Sequence, residues 1–204
     1  MSRWNESDQG DVQVFSEPIA AKKDVKVEIV AAISGTWKVK DEVVAVDPSL
    51  AGKETKTVKV TVQITDDSVV TEHADARPRL TFEQSFNIEG HPYVDKKDGS
   101  IKRMSRNVLF SLEEALGFEP VFVNGGGQVV EPFITRTGRK VAPKVDGVRR
   151  KPNPDFDQAY FNDDGSPNLN WAGIKVYADI ELQTDEKFGD KNQVSRFKKA
   201  PVSV

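Results

Sequence analysis

The feature that most limits how this chain can fold is an alternation of apolar and polar residues that recurs in three segments. In residues 57–64 every second residue is Val or Ile, and the residues between them are Thr, Lys and Gln. Residues 80–88 and 174–183 repeat the pattern, with Gln84 as the one polar residue in the apolar row of its segment. A period of two places successive side chains on opposite faces of a strand. The pattern therefore predicts antiparallel strands with one buried and one solvated face.

Two further β-like runs precede these segments. Residues 24–33 alternate at first and then become more apolar, as a strand does when it passes from the edge of a sheet into its core. Ser34 and Gly35 predict a break in this strand. Residues 36–46 predict a second strand, which ends at the turn signal Asp47-Pro48.

One segment has helical spacing. Apolar residues recur along one stripe between Ile101 and Leu116, which predicts a helix over residues 101–116. Gly117 follows directly and predicts the C-terminal end of the helix, since glycine readily adopts the left-handed conformation that closes many helices. Further along, residues 171–197 predict a β-hairpin with a strand at 174–182, a turn at 188–192 and a short strand at 194–197.

The segment between the helix and the hairpin shows neither the period of two of a strand nor the apolar spacing of a helix. It contains the three consecutive glycines 125–127, several prolines and a basic run. We interpret residues 119–170 as a long insertion or arm within a single domain that covers residues 24–204. Residues 1–23 are polar with a few isolated apolar residues, which predicts an N-terminal arm.

Together these elements predict a mainly β protein with one helix, of the α+β class. Alternating strands, a single helix and no repeated strand–helix–strand order argue against a parallel sheet. We expect five or more antiparallel strands in an OB-like barrel, closed or nearly closed, with the long basic insertion placed before the final hairpin.

The composition excludes several kinds of site. The chain has no Cys and two His, which rules out disulfides and thiolate zinc sites, and we expect no metal site. His73 and His91 have no Ser, Asp or Glu at a spacing typical of a catalytic partner, so we predict no enzyme, no catalytic residue and no cofactor. Because no window approaches 18 consecutive apolar residues and the N-terminus has no apolar segment, we expect a cytoplasmic protein that does not enter a membrane.

The strongest electrostatic signal is the basic run in residues 134–151, where seven Lys or Arg against one Asp give a local charge of +6. The whole chain has a net charge of −3, so any nucleic-acid site must be a local patch. Clustered cations neutralise phosphates and exposed aromatic rings stack on bases, although a solvated or acid-paired loop would carry the same run of charge. The predicted nucleic-acid contacts are Trp37, Lys38, Lys40, Tyr93, Arg136, Arg139, Lys140, Arg149, Arg150, Lys175 and Tyr177.

Three short motifs resemble a known family: A-L-G-F at 115–118, G-I-K-V at 173–176 and G-D-K-N-Q-V at 189–194. The family comprises small bacteriophage proteins that are encoded among replication and recombination genes and are regarded as single-stranded-DNA-binding or OB-like. The resemblance implies sequence-tolerant binding of single-stranded DNA during phage DNA replication or recombination, in the host cytoplasm. A second copy of the chain, forming a homo-oligomer, and phage or host replication and recombination proteins are further candidate partners.

A rival hypothesis is a phage structural or protein-interaction protein, such as a virion component or an inhibitor of a host enzyme. In this hypothesis residues 119–170 form an arm that contacts a neighbouring subunit. Flexible glycines, prolines and a block of charge suit such an arm as well as they suit a DNA clamp.

Overall fold

A computed structural model describes residues 18–72, 80–156, 171–185 and 189–199. The predictions for residues 1–17, for His73 and for residues 157–170 lie outside this part of the chain. The strands are β1 (Lys22–Lys38), β2 (Glu54–Ile64), β3 (Thr81–Asn87), β4 (Pro92–Val94), β5 (Ile101–Arg103), β6 (Val121–Val123), β7 (Val129–Val130), β8 (Phe133–Ile134), β9 (Lys140–Val141), β10 (Arg149–Lys151), β11 (Ile174–Asp185) and β12 (Gly189–Lys198). The α-helices are α1 (Asp41–Val46), α2 (Asp67–Glu72) and α3 (Asn107–Leu116), and a 3-10 turn covers Pro48–Leu50.

Five long strands form one antiparallel sheet in the order β12-β11-β1-β2-β3. Three small sheets accompany it, with the orders β10-β6-β7, β4-β5 and β8-β9. The prediction of a mainly antiparallel β protein of the α+β class is confirmed. A closed barrel is not found, because within the described residues no backbone ladder joins the edge strands β3 and β12.

The central strand β1 pairs with two neighbours along different parts of its length. Its residues 22–29 pair with β11, and its residues 27–38 pair with β2. The register with β2 shifts between Ile29 and Ala31, and such a bulge bends a strand and increases its twist. The apolar rows of β1, β2 and β11 then face the same core.

Two predictions near the end of β1 are wrong. Ser34 and Gly35 do not break the strand, because both continue the pairing with β2. This pairing provides hydrogen-bond partners for the backbone at these positions, so no turn is needed. The second strand predicted over residues 36–46 is divided between the end of β1 and the helix α1. The valines of α1 look β-like in sequence, but acidic residues in the first turn favour a helix N-terminus, and Val43 is buried.

The edge strands β3 and β12 approach each other without pairing. The side-chain Oε1 of Gln84 on β3 accepts a hydrogen bond from the backbone N–H of Val194 on β12 at 3.1 Å. Val194 is 1% exposed, so this N–H would otherwise be buried without an acceptor. The one polar residue in an apolar row therefore connects the two edges of the sheet.

We expect Gln84→Ala to lower the free energy of unfolding by about 1–3 kcal/mol, because the substitution leaves the buried Val194 N–H without a partner. Urea unfolding measures the change. Ser85→Ala is the matched control: Ser85 is exposed on the same strand, and we expect an effect below about 0.5 kcal/mol. Equal effects of the two substitutions would show that the hydrogen bond does not hold the edges together.

The helix prediction is confirmed from Asn107 to Leu116 and is wrong before it. Residues 101–103 instead pair with β4, and a hydrogen bond from Asp95 N to Ser100 O closes the turn of that hairpin. Gly117 ends α3 in the left-handed conformation, as predicted, with φ 92°. The helix packs against β3, β11 and β12. Among the described helices none is long and apolar enough to cross a membrane.

The C-terminal hairpin is confirmed, but its second strand begins at Gly189 rather than at Val194. The reason is a buried contact with the N-terminal segment. The Asn192 side chain accepts a hydrogen bond from Ile19 N at 2.9 Å and donates one to Ile19 O at 2.8 Å. These bonds, together with the ladder to β11, hold a polar sequence in extended conformation.

Residues 119–156, the described part of the insertion, form short hairpins that pack on the rest of the domain. Phe122 and Val123 of β6 are buried. Phe156 belongs to the main core, with its ring centroid 5.1 Å from that of Phe118 and 6.1 Å from that of Trp171. This packing places β10 and the hairpin β8–β9 close to α3.

Candidate nucleic-acid interface

Trp37 lies at the end of β1, beside the hairpin formed by β4 and β5. Its ring meets the His91 ring edge-on, with centroids 5.5 Å apart and planes at 89°. Tyr93, which is 36% exposed, follows two residues later on the same hairpin. Two aromatic residues that are distant in sequence therefore lie in one region, next to the exposed Lys38 and Lys40.

A buried polar network holds His91 beside Trp37. The Thr55 Oγ1 lies 2.7 Å from His91 Nδ1 and accepts a hydrogen bond from Asn87 Nδ2 at 3.1 Å. Burial lowers the pKa of His91, and Lys40 lowers it further, which favours the neutral imidazole. A fixed support for the Trp37 ring reduces the entropy that is lost when a base stacks on it.

Trp37 and Arg106 line the same small cavity of about 120 Å³. Arg106 also lines a neighbouring cavity of about 420 Å³, which we call the basic cavity. Its lining residues are Glu89, Arg103, Arg106, Val123, Gly127, Arg149 and Lys151. Arg106 therefore lies between the basic cavity and the small cavity that Trp37 lines.

Three separate elements supply the cations of the basic cavity. Arg103 is at the end of β5, and Arg106 immediately precedes α3. Arg149 and Lys151 are both on β10, where the period of two places them on one side of the strand. Within the described residues, none of these four cations forms an ion pair with a carboxylate.

Arg106 is held in place by backbone and aromatic contacts. Its Nη1 donates to Ile88 O at 3.1 Å, its Nη2 donates to Arg150 O at 2.9 Å, and its Cζ lies 5.0 Å from the centre of the Phe110 ring. Burial lowers the pKa of the Arg106 guanidinium, and the charges of Arg149 and Arg103 contribute in the same direction. The basic cavity therefore holds more positive charge than its own carboxylate neutralises.

Arg150 lies between the two β10 cations and contacts α3 instead. It forms ion pairs with Glu113, at 3.3 Å, and with Glu114, and its Cζ lies 4.5 Å from the centre of the Phe110 ring. Its side chain is 17% exposed. Arg150, which was predicted to contact phosphate, instead holds β10 against the helix.

Glu113 is the buried partner in this contact, with a side-chain exposure of 0%. Its Oε1 accepts a hydrogen bond from Asn153 N at 3.1 Å. Burial raises the pKa of Glu113 from its ordinary value of 4.5 to about 7, against the opposing effects of the Asn153 N–H and Arg150. Glu113 therefore titrates near neutral pH.

We expect Glu113 to make the fold less stable as pH rises. A carboxyl group whose pKa is raised by folding stabilises the protein fully below 4.5, and this stabilisation is lost as pH rises through about 7. The shift corresponds to about 3 kcal/mol in the free energy of unfolding. Urea unfolding of the parent and Glu113→Gln across this range measures it, because the comparison cancels the other titrating groups. Parallel pH profiles for the two proteins would contradict the prediction.

A second basic cleft, of about 380 Å³, lies between the C-terminal end of α3 and β12. Its charged lining residues are Glu114, Glu119, Arg139, Lys140, Arg196, Lys198 and Lys199. Lys140 forms an ion pair with Glu119 at 2.8 Å, and Lys198 bonds Asp24 and Asp179 at 2.8 and 2.6 Å. Part of the charge in this cleft is therefore neutralised. Arg136 is exposed on the turn of the β8–β9 hairpin that also carries Arg139.

The outer face of the main sheet carries the remaining predicted contacts. Lys175 lies 3.6 Å from Glu28 in an ion pair. Tyr177 is half-buried and lies opposite Lys26 on one side and Lys198 on the other. With acidic residues beside these lysines, this face is close to charge-balanced.

The structure thus divides nine of the eleven predicted contacts among three surfaces. The first surface contains the basic cavity and has on or beside it Trp37, Lys38, Lys40, Tyr93 and Arg149. The second cleft is lined by Arg139 and Lys140, and the outer face of the sheet carries Lys175 and Tyr177. Arg103, Arg106 and Lys151 were not among the contacts predicted from the sequence. The helix predicted over residues 101–116 contained Arg103 and Arg106, so no signal in the sequence indicated that they line this cavity.

Within the described residues, no group of three or more His, Asp or Glu side chains could hold a metal ion. No protein-family model, curated protein sequence or solved structure matches this chain.

Proposed function

We propose that this chain binds single-stranded DNA without sequence preference, in phage DNA replication or recombination, and that the binding surface comprises Trp37 and the basic cavity. The observation that carries the proposal is the convergence of four cations without carboxylate partners in a cavity that shares Arg106 with the surface of Trp37. The proposed activity is binding alone, without a catalytic residue or cofactor.

The two parts of the surface suit the two parts of a nucleotide. An aromatic ring stacks on any base, and each stacked base contributes about 1–3 kcal/mol. Arg and Lys neutralise phosphates and release condensed counterions, which favours binding at low salt. Neither interaction reads the edge of a base, so binding is tolerant of sequence.

We further propose that the main sheet is an OB-like barrel left partly open between β3 and β12. An OB-fold is a five-stranded, partly open Greek-key barrel that binds oligonucleotides on one face and at its loops. The support is the order of elements, three strands, then α3, then two strands, together with a bent β1 that pairs with both groups. The hydrogen bond from Val194 N to Gln84 connects the open edges. Trp37 lies where β1 enters the loop to β2, a position suited to such a site.

Fluorescence anisotropy of oligo-dT at increasing salt tests the proposal. We expect micromolar or tighter binding at low salt. If three or four phosphates are neutralised, log K should fall with log salt with a slope of roughly −2 to −3. Absence of binding at low salt would contradict the proposal. A salt-independent affinity would contradict the assignment of the cations to phosphate.

Exposed apolar side chains favour a second candidate function, contact with another protein subunit. Val129, Phe133, Ile134 and Val145 are 60–69% exposed in the hairpins of residues 121–151. Where such side chains form one contiguous patch, they mark a surface for contact with another protein. Light scattering of the protein without DNA tests this alternative: a stable assembly that ignores oligo-dT would favour it over DNA binding.

A further inference from the structure

We infer that the basic cavity binds a terminal phosphate group, which carries about two negative charges, rather than an internal phosphodiester of the DNA backbone. The inference rests on the proposed function for its DNA ligand, and it names the part of the strand that occupies the cavity. Its basis is the amount of charge in the cavity, the arrangement of the donors and the contacts that fix them.

The charge of the cavity exceeds what one phosphodiester neutralises. Four cations and the single carboxylate of Glu89 line it, so its net charge is four minus one, or +3. An internal phosphodiester carries one negative charge, whereas a phosphomonoester carries about 1.5 to 2 near pH 7. A doubly charged terminal phosphate therefore matches the cavity better than a link in a continuous backbone.

The donors converge on one place instead of following a line. Arg103 comes from β5, Arg106 from the residue before α3, and Arg149 and Lys151 from β10. A groove that tracks a backbone distributes its cations along the strand. Guanidinium groups bind the oxygens of a phosphate through paired N–H donors, and a terminal phosphate offers three such oxygens.

The contacts around the cavity hold its walls in position before a ligand binds. Arg103 Nη1 donates to Gly90 O at 3.0 Å, and Arg106 donates to two backbone carbonyl oxygens. The Glu89 Oε2 accepts a hydrogen bond from Lys56 N at 3.0 Å, which ties this carboxylate to β2. Each of the two arginines keeps further N–H donors for a ligand.

The same terminal phosphate chemistry occurs at the end of a DNA strand and on a free nucleotide. We therefore propose to measure the binding of three oligo-dT strands, with a 5′-phosphate, a 3′-phosphate or hydroxyl groups at both ends, and of thymidine 5′-triphosphate. We expect one phosphorylated strand to bind at least about tenfold more tightly than the hydroxyl strand, because charge-assisted hydrogen bonds are formed only with the phosphate.

Arg149→Ala/Lys151→Ala should reduce the ratio of the affinities of the phosphorylated and hydroxyl strands to about one. Arg103→Ala, a single change at an exposed residue, should also lower this ratio. Arg139→Ala/Lys140→Ala, in the second cleft, is the matched control and should keep the preference. Equal affinity for all three strands, without binding of the triphosphate, would overturn the inference and leave the proposed function standing. Binding of the triphosphate without binding of any strand would support the phosphate site and overturn the proposed function.

Discussion

Reversing two charges in the basic cavity, with Arg149→Glu/Lys151→Glu, is expected to weaken the binding of oligo-dT that carries the preferred terminal phosphate by at least about 100-fold at low salt. The substitution removes two cations that have no carboxylate partner among the described residues and places two anions beside the phosphate. A hydrogen bond to a charged group contributes about 1.5–3 kcal/mol, so two lost contacts account for a change of this size. Fluorescence anisotropy measures it.

The matched control for this prediction is Lys26→Glu/Lys175→Glu on the outer face of the sheet, which changes the net charge by the same amount. Lys26 and Lys175 lie on the exposed face that includes Tyr177. We expect the control to weaken binding by less than about fivefold, through long-range electrostatics alone. An equal loss in the two proteins would mean that net charge, and not the basic cavity, determines the affinity.

Phe156→Ala is expected to lower the free energy of unfolding by about 3–5 kcal/mol, the range typical of a buried Phe. Phe156 is 1% exposed and packs between Phe118 and Trp171, so its removal leaves a cavity where the insertion meets the core. Urea unfolding by circular dichroism measures the loss. Phe133→Ala is the control, because Phe133 is 61% exposed, and we expect a change below about 0.5 kcal/mol. Equal effects would show that residues 119–156 do not share the core of the domain.

The strands of the sheet could be predicted from sequence because their signal is local. Alternation in β2, β3 and β11 is visible within about ten residues, and each of these strands buries one face. The ends of elements were harder to predict because distant contacts decide them. The start of β12 depends on the bonds of Asn192 to Ile19, which no local pattern records. Likewise, residues 101–103 pair with β4 although their apolar spacing continues that of α3.

The candidate site was predictable in its residue types and less so in its arrangement. The basic run pointed to Arg149, but strand parity separates it from Arg150, which faces Glu113. Sequence alone could not show which of these two neighbours is already paired. Arg103 and Arg106 line the cavity because β5 and the start of α3 lie beside β10, and Phe110 of α3 contacts both Arg106 and Arg150.

Photo-crosslinking locates the bound DNA on the protein and so tests the proposed binding surface. Oligo-dT that contains 4-thiothymidine can be irradiated in complex with the protein, and the crosslinked residues can then be identified by mass spectrometry. We predict crosslinks at Trp37 and in the residues that line the basic cavity, and their loss in the Arg149→Glu/Lys151→Glu protein. Crosslinks confined to the sheet face around Tyr177, or to the exposed side chains of residues 129–145, would contradict the proposed binding surface.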